Sequence, residues 1–242
     1  GHAVVSVWRW RIDGGRFEHV FSFEYAAHVV SAINIHVRLS CRNIVRNTIR
    51  RIAVFDAVVG EWPMRVEHGF GPVWDAGSRV LVLGSVPSPK SREMRFYYGH
   101  PRNRFWPVMA AVFHDDGCLR ECRDPDQIVG LRRDFALRHH MALWDVIESC
   151  DIDGASDASI RNAVPNDLSP IIMRSKIAHV FTTGAKAAQL YRKLCVPLLR
   201  AHGLDGMPMT QLPSTSPANA KADLPGLVEA YGCVARSVSQ AS

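Results

Sequence analysis

No uninterrupted apolar run in this 242-residue chain approaches the roughly 18 residues that a membrane span requires, and no secretory signal stands at Gly1. A cytoplasmic protein without membrane contact is the expectation. Cysteine pairs are also lacking. Cys41, Cys118, Cys122, Cys150, Cys195 and Cys233 are scattered, and no Cys-x-x-Cys occurs, so zinc is not expected. Cys118 and Cys122 are spaced to share a helix face, but two thiols alone make a poor metal site, and reduced cytosolic thiols are the plainer reading. There is no Walker A sequence, no GxGxxG, no HExxH and no GxSxG. These absences argue against a P-loop NTPase, a dinucleotide enzyme, a zincin and a serine hydrolase. With 47% apolar and 21% charged residues, the chain is neither disordered nor low in complexity.

Lysine is scarce: only 5 of the 29 basic residues are Lys. The chain nevertheless carries a formal net charge of +6 and a pI near 9.2. Arginine grips phosphate in a bidentate manner and stacks on bases, so the balance leans towards nucleic acid, although genome composition also yields Arg bias. The length fits one domain with its own core plus an extension. Residues 1–63 hold eight Arg and no Lys, without clear strand–helix alternation. They read as an N-terminal extension of unknown role, within which 26–55 fits either a basic amphipathic helix or strands. The working domain is expected over 64–242, starting near Met64.

From Arg79 onward the pattern is α/β. The apolar run 79–84 ends in Gly84 and has the character of a buried parallel strand. Further strands are expected at 141–147, 177–183 and 209–212. Helices are expected at 103–113, 127–140, 167–175, 184–195 and 222–239. This alternation predicts a parallel sheet with helices on both faces. Ligands of such sheets bind beyond the carboxyl ends of the strands. Those ends lead into Gly84-Ser85-Val86-Pro87-Ser88, Trp144-Asp145, Thr182-Thr183-Gly184 with Lys186, and Leu212 to Asn219. Short hydroxyl side chains and open backbone N–H groups suit phosphate, while ordinary turn chemistry accounts for any one such loop alone.

The densest stretch is Phe96-Tyr97-Tyr98-Gly99-His100-Pro101-Arg102-Asn103-Arg104-Phe105-Trp106. Aromatic, Arg, His and Asn side chains together can stack on a base and bond to its edge. Phe105 and Trp106 begin an apolar helix face and are expected in the core. Tyr97 and Tyr98 precede that helix, where rings can line a pocket. Asn103 stands where a helix cap is the plain role.

The segment GSVPSPKSREMRFYYGHPRNRFW (84–106) resembles the first motif region of the uracil-DNA glycosylase superfamily. The nearest matches are its hypoxanthine-DNA glycosylase branch (DNA-deoxyinosine glycosylases) and its mismatch-specific uracil/thymine branch. The similarity continues through LWDVIESCDIDGASDASIRNAVPNDL (143–168), TTGAKAAQLY (182–191) and LPSTSPANA (212–220). The resemblance spans about 64–238 and implies a three-layer α/β/α sandwich with a short central parallel sheet. It implies no cofactor and no metal. The implied partner is DNA containing deaminated bases, bound by a monomer. The implied reaction flips a damaged base from the duplex and cleaves its N-glycosidic bond.

Two departures bear on mechanism. Val86 stands where most of the superfamily has Asp or Asn to position water, and Leu212 stands where many uracil enzymes have His. In the hypoxanthine branch, Asn103 is the substitute that would orient water. Asp145 would add negative charge near the sugar or hold the pocket. Gly84, Ser85, Val86 and His100 are candidates for the base pocket, with Tyr98 stacking on the flipped base and Phe96 next in line. For DNA the candidates are Ser88, Lys186, Ser214, Thr215, Ser216, Pro217 and Asn219, with Lys90 and Ser91 as further phosphate contacts. Pro217 and Ala218 would act as a small wedge, and Arg102 and Arg104 could equally lie on a solvated face. A broad enzyme for uracil, extending to hypoxanthine or xanthine, is expected. The alternatives are a catalytically silent module for damaged DNA and an unrelated α/β enzyme of free nucleosides. Abasic product separates the first from a glycosylase, and activity without duplex marks the second.

Overall fold

Val5–Ile12 (β1) and Gly15–Ser22 (β2) form an antiparallel pair, with Val5 opposite Ser22 and Ile12 opposite Gly15. The Asp-Gly dipeptide at 13–14 is a sequence that favours such hairpins. The computed structural model describes residues 5–12, 15–22, 64–120, 124–154 and 156–240. Two units separate by contacts, Gly1–Gly60 and Glu61–Ser242. The helix-or-strand expectation for 26–55 lies outside the described residues, as does Cys122.

In the second unit the chain runs Met64–Glu67 (β3), Val80–Gly84 (β4), Pro89–Met94 (α1), Phe105–Phe113 (α2), Pro125–Arg138 (α3), Met141–Asp145 (β5), Ile147–Ile152 (β6) and Arg161–Pro165 (β7). It continues with Ser169–Met173 (α4), His179–Thr183 (β8), Ala185–Leu190 (α5), Val196–Arg200 (α6), Met209–Leu212 (β9) and Leu224–Gln240 (α7). The parallel sheet has the order β5-β4-β8-β9. Its register aligns Gly84 with Asp145, Leu83 with Thr182, and Thr183 with Leu212. All four strands therefore end at one level, and their following loops open on one edge.

Side chains of a strand alternate between its two faces. Val80 and Val82 enter a core with Phe105, Trp106 and Met109 of α2, Phe135 of α3, and Leu227, Tyr231 and Val234 of α7. Leu81 and Leu83 enter a second core with Ile171 and Ile172 of α4, Leu190, Tyr191 and Leu199. Helices thus cover both faces, giving the α/β/α layering. Each fully buried large side chain contributes about 1.5–3 kcal/mol. The helix α7 shows the pattern plainly, burying Leu227, Tyr231, Val234 and Val238 along one stripe.

Several expected boundaries differ. The strand expected over 141–147 ends at Asp145, where Val146 N–H donates to the Gly84 carbonyl and the chain leaves the parallel sheet. Ile147 instead begins β6, the middle strand of an antiparallel sheet β3-β6-β7. The helix expected over 184–195 runs through a π turn at Tyr191–Cys195 into α6. The short helix α1 and the antiparallel sheet were not anticipated. The four described cysteines, Cys118, Cys150, Cys195 and Cys233, are free.

Candidate active site

A cavity of about 490 Å³ opens at the level where the parallel strands end. Its wall includes Gly84, Ser85, Val86 and Ser88 after β4, Asp145 at the end of β5, Thr183 at the end of β8, and Ser214, Thr215, Ser216 and Asn219 after β9. Tyr97, Tyr98 and Asn103 enter from the aromatic segment, and Ser156 and Asp157 from the connection between β6 and β7. Gly84 is required by close approach, because a Cβ there would stand 2.3 Å from Asp145 Oδ1. The following loop is tied by serine. Ser88 Oγ accepts from Ser91 N–H at the start of α1, and Ser91 Oγ accepts from Gly99 N–H.

Asp145 is only 5% exposed. His68 Nε2–H donates to its Oδ2 at 2.9 Å. His68 is equally buried, and its Nδ1 has no partner among the described residues. Placing the proton on Nε2 leaves Nδ1 as a lone pair rather than an unmade donor, which is the cheaper arrangement. The ring packs between Phe70 and Tyr97, with centroids 4.4 and 5.9 Å away. Asn166 holds the backbone of the same residue, donating from Nδ2 to the Asp145 carbonyl. A carboxyl group is thus fixed at the cavity from two sides. His68 was not anticipated.

Tyr98 has φ +53°, in the left-handed region that a bulky residue rarely enters. That turn lays its ring on Phe105 at 3.7 Å and 14° between planes, while its hydroxyl meets Thr183 Oγ1 at 3.3 Å. Burial, with Asp145 nearby, pushes the Tyr98 phenol well above its usual range. Tyr97 is fixed differently, donating its hydroxyl to the Gly71 carbonyl. Asn103 is half-buried, and its Oδ1 accepts from Phe105 N–H at 3.0 Å. The N-cap position itself is Arg104, which makes no side-chain cap bond; Asn103, one residue earlier, holds the first helical N–H in an Asx-type turn and also lines the cavity.

Asp157 was also missed. It stands at the cavity rim with its carboxyl turned onto Ser85, whose Oγ donates to Oδ2 at 2.8 Å. Burial of the carboxyl raises its pKa, the Ser85 bond pulls it down, Asp145 raises it and Lys186 lowers it.

The loop after β9 is held by Arg104. Its guanidinium donates to the carbonyls of Thr215, Ser216, Asn219 and Ala222, and its own N–H donates to Thr215. Asn219 Nδ2 closes the loop onto the Ser214 carbonyl. Gly184 lets this loop approach β8: its φ is +97°, and a Cβ would lie 3.3 Å from Ser214 Cβ. Arg104 is thus no solvated side chain. Its planar fork serves several acceptors at once, which an ammonium does not. Charged hydrogen bonds contribute about 1.5–3 kcal/mol each when buried, and half-burial reduces this. Arg104→Ala should lower stability by about 2 kcal/mol, and Arg104→Lys should recover little of it. At about 2–4 °C per kcal/mol for a chain of this size, melting would fall by roughly 4–8 °C. Equal melting of the Lys variant and the wild type would deny the fork any role.

Not every sequence candidate reaches the cavity. Phe96 is 1% exposed and stacks on Trp106 in the core, so it is not next in line for a base. His100 accepts from Arg102 N–H through Nδ1, as a turn residue outside the lining. Lys186, Lys90 and Pro217 lie outside the lining too, Pro217 being exposed at the loop tip. Val86 lines the cavity and packs on the second core, while Leu212 is buried in the first. Among the described residues no three His, Cys, Asp or Glu side chains group as a metal site, and no helix is long and apolar enough to cross a membrane.

The sequence pattern of the Uracil DNA glycosylase superfamily matches residues 69–230. A protein named hypoxanthine DNA glycosylase from Methanosarcina barkeri is 27% identical over 166 residues, covering 68% of this chain and 98% of the relative. A protein of the same name from Methanosarcina acetivorans is 29% identical over 157 residues, covering 64% and 90%. Among solved structures, a solution NMR structure from M. acetivorans, provisionally described as a uracil DNA glycosylase, matches with a TM-score of 0.58 and 27% identity. It covers 73% of this chain and 99% of that one.

Proposed function

The chain belongs to the Uracil DNA glycosylase superfamily and is a DNA glycosylase, and from that premise we propose that it excises deaminated bases, hypoxanthine and uracil, from DNA. The observation that carries this reading is one cavity lined by a stacking ring, an amide and a fixed carboxyl group, Tyr98, Asn103 and Asp145. The names of both relatives support hypoxanthine among the substrates.

In this reading the target nucleotide leaves the stack and its base lies against Tyr98. Stacking of this kind is worth about 1–3 kcal/mol per base, and offsets part of the few kcal/mol spent on unstacking. Asn103 orients a water beneath the sugar. The C1′–N bond breaks as positive charge grows on the sugar, and its electron pair leaves with the base. Water oxygen bonds to C1′, and a water proton is released as the departing base takes one up. The products are an abasic site and the free base. Asp145, held by His68 and lying in the cavity, supplies negative charge to the sugar. Preorganised charge of this kind is commonly the largest catalytic contribution. The Arg104-held loop meets phosphates through Ser214, Ser216 and Asn219, and exposed Pro217 and Ala218 enter the vacated space, whereas Thr215, 2% exposed, is turned inward and only holds the loop. Residues 64–242 form the glycosylase domain, and 1–63 an extension.

Duplexes carrying a single hypoxanthine or uracil, treated with alkali after incubation, test the reading. Strand scission at the lesion, with free base in the supernatant, is the expected result. Tight duplex binding without release of either base would instead favour a silent binding module.

A further inference from the structure

We propose that Asp157 selects the base, its unshared carboxylate oxygen accepting the ring N–H that deamination creates; this rests on the glycosylase reading given above. Hydrolytic deamination changes two neighbouring atoms of a base. The exocyclic amine becomes a carbonyl, and the adjacent ring nitrogen changes from acceptor to donor. Uracil has this donor at N3 and hypoxanthine at N1; in xanthine it arises at N3, beside the N1–H that guanine already carries. Cytosine N3 and adenine N1 present a lone pair instead. A pocket with a hydrogen-bond acceptor at that point therefore favours the deaminated base of either ring size. Guanine and thymine carry the same N–H, so their 2-amino and 5-methyl groups must be refused by shape.

Two carboxyl groups line the cavity, and their surroundings give them different work. Asp145 Oδ2 is taken by His68, and its Oδ1 lies over the Gly84 backbone, where a Cβ would be 2.3 Å away. It is fixed, buried and closely covered. Asp157 is the open one. Ser85 Oγ donates to Oδ2, which orients the group, and Oδ1 has no partner among the described residues. Ser85 itself follows the strand end that floors the cavity. Asp157 and Tyr98 line the same cavity. Asp157 stands exposed at the rim, so an N–H arriving at Oδ1 exchanges water for a bond oriented by Ser85. A site built to bond an N–H rejects an analogue without it far more strongly than an apolar pocket rejects a change of size.

The test pairs a change in the protein with a change in the base. Excision from duplexes containing hypoxanthine is compared with 1-methylhypoxanthine, and uracil with 3-methyluracil, because methylation removes the N–H. The ratio of the two rates is taken for wild type, Asp157→Asn and Asp157→Ala. The wild type should lose at least 100-fold on methylation, and Asp157→Ala should shrink that penalty by at least tenfold. Asp157→Asn, which keeps an acceptor without the charge, should fall between. A merely structural role slows both substrates alike, leaves the ratio unchanged and overturns the proposal. If Asp157→Ala cleaves nothing, the same ratio is read from binding to the uncleavable 2′-fluoroarabino forms of each lesion. If the penalty shrinks with Asp145→Asn instead, the acceptor is Asp145 and the proposal fails. A wild-type chain that releases no hypoxanthine and no uracil fails at an earlier step. It sinks the substrate reading itself and takes this inference with it.

Discussion

His68→Ala should lower both stability and base excision, and His68→Gln should restore most of each. The imidazole does two jobs that alanine abolishes. It donates to Asp145 Oδ2 inside a site where both residues are nearly sealed from solvent, and it fills the space between Phe70 and Tyr97. A hydrogen bond to a charged group is worth about 1.5–3 kcal/mol. The void left by the ring adds to that loss. A total near 3 kcal/mol would lower the melting temperature by roughly 6–12 °C. The catalytic effect follows from position. Asp145 freed from His68 can rotate away from the cavity, and displacement of a catalytic group by about 1 Å costs on the order of 100-fold. Gln can place an N–H near the position of Nε2, so recovery with Gln separates the bond from the ring. Thermal melting and single-turnover excision are the measurements. An alanine variant as fast as the wild type would show that His68 serves packing alone.

Why this pair escaped sequence reading is instructive. His68 and Asp145 are 77 positions apart, and Ser85 and Asp157 are 72 apart. Arg104 reaches carbonyls 111–118 positions away. Local periodicity reports which face a residue occupies and where an element ends. It does not report which distant side chain meets it. The strands β4 and β8 were legible because each holds a short apolar core ending in Gly or Thr, and β9, Met-Thr-Gln-Leu, because it is a short stretch leading into the Pro- and Ser-rich loop that follows. The convergence of their loops followed from parallel topology. The antiparallel sheet was hidden because β3 has four residues and β7 is mostly exposed, so neither gives a strong apolar pattern.

The aromatic run shows a different limit. Phe96, Tyr97 and Tyr98 are chemically alike, and sequence gives no reason to send one to the core and another to the cavity. The backbone decides. Arg95 and Tyr98 both adopt left-handed angles, φ +51° and +53°, which interrupt any regular alternation. Phe96 therefore turns to Trp106, and Tyr98 to Phe105 and Thr183. Two strained residues within four positions are tolerated where the surrounding packing holds them. Here they present a ring to the cavity.

Asn103→Ala should reduce excision by about 10²–10³-fold, the scale on which removal of one preorganised polar group acts. Asn103 has two roles, and the expected losses differ. Its Oδ1 ties down the first N–H of α2, that of Phe105, from the residue before the N-cap, and loss of such a helix-start bond costs about 0.5–2 kcal/mol. That loss alone leaves a folded enzyme with an intact Asp145. The catalytic loss comes from the rest of the amide, which the cap holds in a fixed orientation at the cavity wall. Asn103→Asp separates the two. Aspartate caps as well as asparagine, and its charge is favourable at a helix start. The Asp variant should therefore melt with the wild type. It can also accept from water, as a stronger base than an amide, so its single-turnover rate should stay within tenfold of wild type. Its added charge opposes phosphate, so duplex affinity should fall. An alanine variant that loses stability but keeps its rate would reduce Asn103 to a cap and move water positioning to Asp145. Loss of rate in both variants, with stability kept in the Asp form, would mean that the amide N–H donors matter more than the acceptor oxygen.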